Sequence, residues 1–212
     1  MCRIVDLTSN LYDGIRGLAT EPRTTYAADG YNTTTLHLYS HAGTHMDAPL
    51  HFVEGGNTID CMPLDQCVGE ALVVPLMHKG PDSLITVEDL EPHADQIGAG
   101  SRVLLRTDWS LHLGRDDYRS HLPRISAELA HFFAAKQIAL LGVEMPSVAS
   151  VRPDRKAELT EVHQILLRAG IAIVEGLANL DELTRDVVHF IALPLKIRGC
   201  DGSPVRAIAI EE

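Results

Sequence analysis

The densest group of chemically active side chains in the sequence is His41, His45, Asp47 and His51. The intervals between them are all even, so on an extended backbone the four side chains would project from one face. An extended run from residue 41 to residue 47 would span roughly 20 Å, whereas each ligand of a metal ion places its donor atom about 2 Å from the ion. The segment must therefore curl, and Gly43 and the Ala48-Pro49 pair lie where a bend is easiest.

His41, His45 and Asp47 offer two imidazoles and a carboxylate, which suit a divalent ion such as zinc, manganese or iron. Three protein ligands leave a coordination position for water or substrate, as a catalytic metal requires. A helix would not assemble this set, because Asp47 would leave the face shared by the two histidines and Pro49 would break the next turn. The alternative interpretation is that each histidine is a hydrogen-bonded residue of the core or surface.

A second pair of candidate ligands, His163 and Glu175, lies further along the chain. His163 falls in a predicted helix over residues 161–168, and Glu175 ends an apolar strand. The helix takes the chain about 10 Å away and the strand returns it by roughly 15 Å, so both side chains can reach one edge of the fold. Alternatively, Glu175 could cap a helix that starts at Leu177 or pair with an arginine.

The elements that must position these residues are short. Apolar runs bounded by turn residues predict eight strands, at residues 3–7, 33–39, 71–76, 102–107, 138–143, 171–175, 187–193 and 205–210. Helical patterns preceded by the N-cap candidates Thr86, Ser126 and Thr160 predict helices over residues 87–97, 127–136 and 161–168. Because no repeat or linker-like tract interrupts the pattern, we expect an α/β fold with a mixed sheet, in a single domain over residues 1–212.

Composition narrows the class of partner. The formal net charge is −11, which disfavours nucleic acid and anionic lipid surfaces and leaves a small-molecule substrate as the expected partner. The four cysteines show no C-x-x-C spacing, which indicates free thiols in a reducing compartment. No secretory signal or membrane-spanning segment is visible in the sequence, so we expect a cytoplasmic protein.

Residues 41–51 match the signature H-x-G-T-H-x-D-x-P-x-H in full. On this motif the chain resembles the cyclase-like metallohydrolase family, which includes bacterial kynurenine formamidases and isatin hydrolases. Weaker family-like stretches follow in the same order, at residues 104–109, 141–148, 163–167, 173–180, 193–195 and 202–206. The resemblance therefore covers nearly the whole length.

The resemblance implies that His41, His45 and Asp47 bind one divalent ion, expected to be Zn²⁺ with Mn²⁺ as the alternative. Asp47 could bridge to a second ion held by His163 and Glu175, which gives one or two ions per chain. In single-metal relatives the last two residues would instead support the site. The resemblance also casts His51 as the proton donor and acceptor, and it implies a swivelling β/β/α-type fold and a homodimer or homotetramer.

The function favoured by this resemblance is hydrolysis of a C–N bond of an amide or lactam by metal-activated water, as in an arylformamidase that acts on N-formylkynurenine. The alternatives are hydrolysis of another cyclic substrate, such as isatin, a lactone or an imide, and a non-catalytic metal-binding relative. Departures from the family pattern concern the substrate. Residues 12–17 replace an expected Trp-Pro-Gly-Asp-like segment, the sole tryptophan is Trp109, and Glu144 stands where an aspartate is usual. It stays open whether Trp109 or residues 12–17 line the pocket.

Overall fold

Residues 2–211 are described by a computed structural model. The strands of this part are β1 Arg3–Asp6, β2 Leu18–Thr24, β3 Thr33–Leu38, β4 His45–Asp47, β5 Val68–Pro75, β6 Leu84–Ile85, β7 Arg102–Arg106, β8 Arg124–Ile125, β9 Leu140–Val143, β10 Ala172–Glu175, β11 Val187–Pro194 and β12 Gly202–Glu211. The α-helices are α1 Tyr26–Asp29, α2 Leu64–Cys67, α3 Ala127–Lys136 and α4 Lys156–Arg168. Single 3₁₀ segments cover Pro49–His51, Ile59–Cys61, Glu88–Gln96, Trp109–His112, Pro153–Arg155 and Leu180–Glu182.

The central sheet has eight strands in the order β1-β12-β11-β5-β7-β9-β10-β4. β5, β7, β9 and β10 run parallel to one another, whereas β1, β12, β11 and β4 pair antiparallel with their neighbours. β4 also pairs with β12, which closes the sheet into a barrel-like arrangement. The predicted α/β fold with a mixed sheet is confirmed.

The middle strands are buried on both faces, so alternate side chains enter two different cores. In β10, Ile173 belongs to the core beneath α3 and α4, together with Phe133 and Leu166. Its neighbour Val174 belongs to the core inside the closed sheet, together with Phe190. The sheet therefore sits between the helices and its own interior, and both cores fix the position of the strand that ends in Glu175.

The helix predictions succeed where the apolar periodicity is strong. α3 has the predicted bounds, and the Ser126 side chain accepts the backbone N–H of Leu129 as its N-cap. The start predicted for the following helix is wrong: α4 begins at Lys156 rather than after Thr160, since its first turn is polar and follows the Pro153–Arg155 turn. His163 consequently lies in the middle of α4, not in its first turn.

The prediction over residues 87–97 is also wrong in type. Glu88–Gln96 forms 3₁₀ turns, and Pro92 lies inside them and cannot donate the backbone hydrogen bond that an α-helix needs. β2 is absent from the predictions because its side chains are exposed or half-buried and show no apolar alternation. Among residues 2–211, none of the helices combines the length and apolarity that crossing a bilayer requires.

Candidate metal centre

The segment that follows β3 bends at the predicted points. Gly43 adopts φ +59°, a left-handed conformation, and a Cβ there would meet a Leu11 methyl at 2.6 Å. The chain then enters β4, where His45 lies opposite Glu175 of β10 in the antiparallel register. A 3₁₀ turn over Pro49–His51 follows directly and brings His51 back towards His41. The bend in the motif therefore supplies the curl that one site requires.

Backbone groups set the ring orientation of two histidines. His45 donates from Nδ1 to the Gly43 carbonyl at 2.9 Å, and His163 donates from Nδ1 to the Leu159 carbonyl at 2.7 Å. In the neutral form of each ring, Nε2 is then the nitrogen without a proton, and it faces the carboxylates. This is the tautomer and orientation that a metal-binding imidazole needs.

The five predicted ligands lie together. Glu175 approaches the Nε2 atoms of His45 and His163, each at 3.3 Å. Asp47 lies 3.6 Å from His45 Nε2 and 3.8 Å from His163 Nε2. His41 completes the group by donating from Nδ1 to Asp47 Oδ1 at 2.9 Å. His45, Asp47, His163 and Glu175 are buried, and His41 is nearly so.

Asp47 provides the test of whether these residues fit a cation. Its Oδ2 atom is inaccessible to solvent and has no hydrogen-bond partner among residues 2–211, which is costly for a buried anion. Donor atoms of His41, His45 and Asp47 lie within 4.8 Å of one another, as do those of Asp47, His163 and Glu175. Nitrogen and oxygen donors around an unpaired carboxylate oxygen fit a divalent ion.

The electrostatics of the cluster follow from its burial and its carboxylates. Burial alone would lower the pKa of His45 and His163, but the carboxylates of Glu175 and Asp47 raise it. The same balance raises the pKa of His41 to about 9, because burial is outweighed by hydrogen bonds to two aspartates. Metal binding would therefore displace protons from these rings.

His51 is the exception among the four histidines. Burial lowers its pKa, and repulsion from His41 and His163 adds to this effect against the attraction of Asp47 and Glu175. Its ring stacks on that of His41 with 3.9 Å between centroids. His51 is thus the imidazole of the cluster that stays neutral at neutral pH and can accept a proton.

Asp201 is a residue that the sequence interpretation missed. Its Oδ2 accepts a hydrogen bond from His41 Nε2 at 3.0 Å and lies 3.5 Å from His51 Nδ1. It precedes β12, whose pairing of Gly202 with Asp47 brings it to the site. The only signal in the sequence is its position directly before the family-like stretch 202–206.

The cluster opens into a cavity of about 260 Å³, which a smaller cavity of about 100 Å³ adjoins. Arg16 and Arg119 line both cavities. Ile15 lines the smaller cavity, so part of the 12–17 segment lies at the pocket. Trp109 is buried and donates from Nε1 to the Tyr118 carbonyl at 2.9 Å. Because Tyr118 lines the smaller cavity, Trp109 lies behind the residues that form the cavity surface.

A larger groove of about 750 Å³ runs between α3 and α4. It is an open surface groove lined by side chains such as Lys156, Glu161 and Arg168, and it lacks the buried ligand cluster. We place the functional site at the smaller cavities, because the buried ionisable groups open there.

Comparison with known proteins agrees with this geometry. Residues 5–150 match the family described as "Putative cyclase". The kynurenine formamidase of Paracidovorax citrulli is 35% identical over 84% of this chain and 79% of its own length. Isatin hydrolase A of Labrenzia aggregata, solved with benzyl benzoate, superposes with a TM-score of 0.84 at 28% identity, over 99% of this chain and 93% of the other. A solved "potential metal-dependent hydrolase with cyclase activity" superposes with a TM-score of 0.82 at 27% identity, over 100% of this chain and 99% of the other.

The chain belongs to the cyclase family, as its histidine and aspartate motif indicates. The resemblance predicted from the sequence is confirmed, and the fold matches that of solved family members.

Proposed function

We propose that this protein is a metal-dependent hydrolase that cleaves the C–N bond of an amide or lactam, with an aryl formamide of the N-formylkynurenine type as its substrate. The main observation is that His41, His45, His163 and Glu175 converge on the buried carboxylate of Asp47, beside the neutral His51. The kynurenine formamidases and isatin hydrolase among the relatives support the same chemistry.

The bound ion in this proposal is Zn²⁺, with Mn²⁺ as the alternative, since the donor set mixes imidazole nitrogen with carboxylate oxygen. His41, His45 and Asp47 would hold the first ion. Asp47 is common to both ligand groups, so a second ion could share it with His163 and Glu175. When bound, a divalent ion supplies a Lewis acid for the substrate carbonyl and makes water a stronger acid, with a pKa of about 7.

The ligands are held in place by the chain itself. The Gly43 and Leu159 carbonyls fix the two histidine rings, and the backbone N–H of Val148 donates to Glu175 Oε1 at 2.8 Å. Such outer contacts keep ligand side chains in a single rotamer before substrate arrives. The site is therefore preorganised by contacts from the β3–β4 turn, α4 and the 144–150 loop.

His51 is the proposed proton donor and acceptor. Asp201 lies beside Nδ1 and favours the tautomer with the proton there, so that Nε2 is left to accept a proton. His51 would take the proton of the attacking water and return it to the departing nitrogen. Both steps need an imidazole that is neutral at the outset, and the lowered pKa of His51 satisfies this condition.

Hydrolysis of a cyclic lactam such as isatin is the second candidate, favoured by the likeness to isatin hydrolase A over nearly the whole chain. Opening a lactam needs the same residues, because the bond broken is again a carbonyl C–N bond. Only the shape of the cavity would determine whether a cyclic lactam or an acyclic formamide is the preferred substrate. The two candidates therefore differ in substrate and not in mechanism.

The test of the proposed function is an assay of metal-reconstituted protein against N-formylkynurenine, isatin and a small set of lactones. We expect turnover of the formamide that disappears on chelation and returns with Zn²⁺ or Mn²⁺. Elemental analysis of protein purified without added ions identifies the resident ion. Full activity in metal-free protein would contradict the proposal.

We also propose that the protein works in the cytoplasm on a small molecule, as a homodimer or homotetramer and without nucleic acid or membrane as a partner. The net charge of −11 supports the exclusion of polyanions. Sedimentation analysis of the purified chain would test the oligomeric state.

A further inference from the structure

Arg119 is a half-buried cation at the wall of the site. It lines both cavities together with His41 and His45. Within residues 2–211, no acidic side chain forms a salt bridge with its guanidinium. The charges that act on it include Arg16, which repels it, and Glu175, which attracts it. Withdrawal of an arginine from water without a counter-charge is unfavourable. An anion from outside the chain would therefore stabilise Arg119 at this position.

Arg16 places a second positive charge at the same cavities. Its guanidinium carbon lies 5.5 Å from the centroid of the Tyr39 ring. Burial lowers the pKa of Arg119, and repulsion by Arg16 lowers it further. Two cations converge here although the chain has a net charge of −11. An anionic group bound near both would relieve their repulsion.

The acidic groups of the site are already engaged by histidines. Glu175 contacts His45 and His163, and Asp201 accepts a hydrogen bond from His41. Neither carboxylate forms a salt bridge with an arginine in the described part of the chain. The two arginines are thus available to a ligand.

The loop before Arg119 is anchored, so the guanidinium is presented from a fixed backbone. Trp109 donates to the Tyr118 carbonyl at 2.9 Å, and its ring stacks on that of His112 with 4.1 Å between centroids. Tyr118 in turn donates from its hydroxyl to the Glu144 carbonyl at 3.4 Å. A preorganised residue loses less entropy when it binds a ligand.

We propose that Arg119, with Arg16 beside it, binds a carboxylate of the substrate that is separate from the scissile C–N bond. This inference rests on the proposed hydrolase function and narrows its substrates to amides that also carry a carboxylate. The planar guanidinium can donate two parallel hydrogen bonds to a carboxylate, which a lysine cannot match. A group that holds a remote part of the substrate acts equally in the ground and transition states, so its loss raises KM.

The test compares N-formylkynurenine with N-formylkynuramine, which retains the aryl formamide and the amine but lacks the carboxylate. Turnover and KM are measured by steady-state kinetics on metal-reconstituted enzyme. Where a compound is hydrolysed, calorimetry measures its binding to metal-reconstituted His51→Ala, in which turnover should be strongly reduced. We expect the wild type to bind the carboxylate compound roughly 10- to 100-fold more tightly, the range expected for hydrogen bonds between charged groups. This comparison needs no variant of Arg119.

Variants of Arg119 then test whether this residue causes the difference in affinity between the two compounds. Arg119→Gln should raise KM for N-formylkynurenine by roughly 10- to 100-fold, leave kcat within about threefold and not weaken binding of the compound that lacks the carboxylate. The KM of Arg119→Lys for N-formylkynurenine should lie between those of the wild type and Arg119→Gln. Lysine keeps the positive charge but cannot donate two parallel hydrogen bonds to the carboxylate. Arg115→Gln is the matched control, since Arg115 is exposed on the same loop and lines neither cavity.

Equal affinity of the wild type for the two compounds would overturn the inference, as would an Arg119→Gln variant that weakens both equally. If neither compound is hydrolysed, the aryl formamide is not the substrate, and calorimetry still decides the role of Arg119. In that case carboxylate-dependent binding that Arg119→Gln abolishes supports the inference, and its absence refutes it.

Discussion

The Thr44 hydroxyl donates a 2.6 Å hydrogen bond to the carbonyl of Gly176, 132 residues away along the chain. The same oxygen accepts the backbone N–H of Ser9 at 2.8 Å. Thr44 thus connects the motif to the residue that follows Glu175, a proposed metal ligand. The backbone of Gly176 lies directly against the motif at this contact. A Cβ at residue 176 would meet the Gly43 carbonyl oxygen at 2.8 Å, so only glycine fits there without a shift.

Replacement of Thr44 by valine should destabilise the fold by about 1–3 kcal/mol, because a buried carbonyl and a backbone N–H lose their partner. The measurement is urea unfolding of the wild type and the variant. Thr34→Val is the matched control, since Thr34 is exposed on β3 and should change stability by about 0.5 kcal/mol or less. An equal loss in both variants would show that the Thr44 contacts are unimportant.

The unpaired oxygen of Asp47 leads to a prediction about metal loading. Asp47→Asn removes the charge that both ligand groups share, so the variant should purify without metal and gain no thermal stability from added Zn²⁺. The wild type should be stabilised by about 4 kcal/mol when free metal is 1,000-fold above Kd. Elemental analysis and thermal scans measure the two effects. Asp95→Asn, at an exposed position, should load metal normally.

His51→Ala should keep its metal and lose turnover by roughly 10²- to 10⁴-fold, the usual contribution of a general acid or base. Steady-state kinetics on protein of verified metal content measure the loss. His189→Ala is the control, because His189 is exposed on β11 away from the cavity. Turnover of His51→Ala near that of the wild type would remove His51 from the mechanism.

Glu211 gives a prediction for the pH dependence of stability. Burial would raise its pKa, but hydrogen bonds from the Thr184 hydroxyl and from the backbone N–H groups of Thr184 and Arg185 lower it. A carboxyl group with a lowered pKa stabilises the folded state above its unfolded pKa, about 4.3. That stabilisation is lost as the pH falls through the folded value.

Glu211→Gln should therefore cost about 1–3 kcal/mol at pH 7, where hydrogen bonds to a charged acceptor are lost. The difference from the wild type should shrink as the pH falls below about 4. Urea unfolding of both proteins at several pH values across this range measures the difference in their stability. Glu182→Gln removes an exposed ion pair with Arg3 and should cost about 1 kcal/mol or less at every pH. A pH-independent loss in Glu211→Gln would contradict the assignment.

The sequence is sufficient for the parts of the site that depend on short-range relationships. His41, His45 and Asp47 lie in one segment whose bend is encoded by Gly43, and His163 and Glu175 belong to one helix-strand unit. Seven of the eight strands in the central sheet overlap predicted strands, because apolar runs identify buried strands. The exception is β4, His45–Asp47, whose three residues include the candidate ligands and form no apolar run.

The parts that the sequence does not reveal depend on long-range pairing. Asp201 reaches His41 across 160 residues, through the pairing of β12 with β4. Arg119 lies in a loop without periodicity, and only the tertiary structure brings it to the cavity. The sequence contains both residues, but nothing local distinguishes them from solvated charges.

The position of β4 between β10 and β12 has a consequence for how the protein matures. His45 lies opposite Glu175 in one pairing and opposite Pro204 in the other, so neighbours distant in the chain must both arrive before the motif is enclosed. On the ribosome, the histidine motif emerges long before residues 202–211. We expect the nascent chain to acquire its ion only after that last strand has been synthesised, which makes metal uptake a late step of biogenesis.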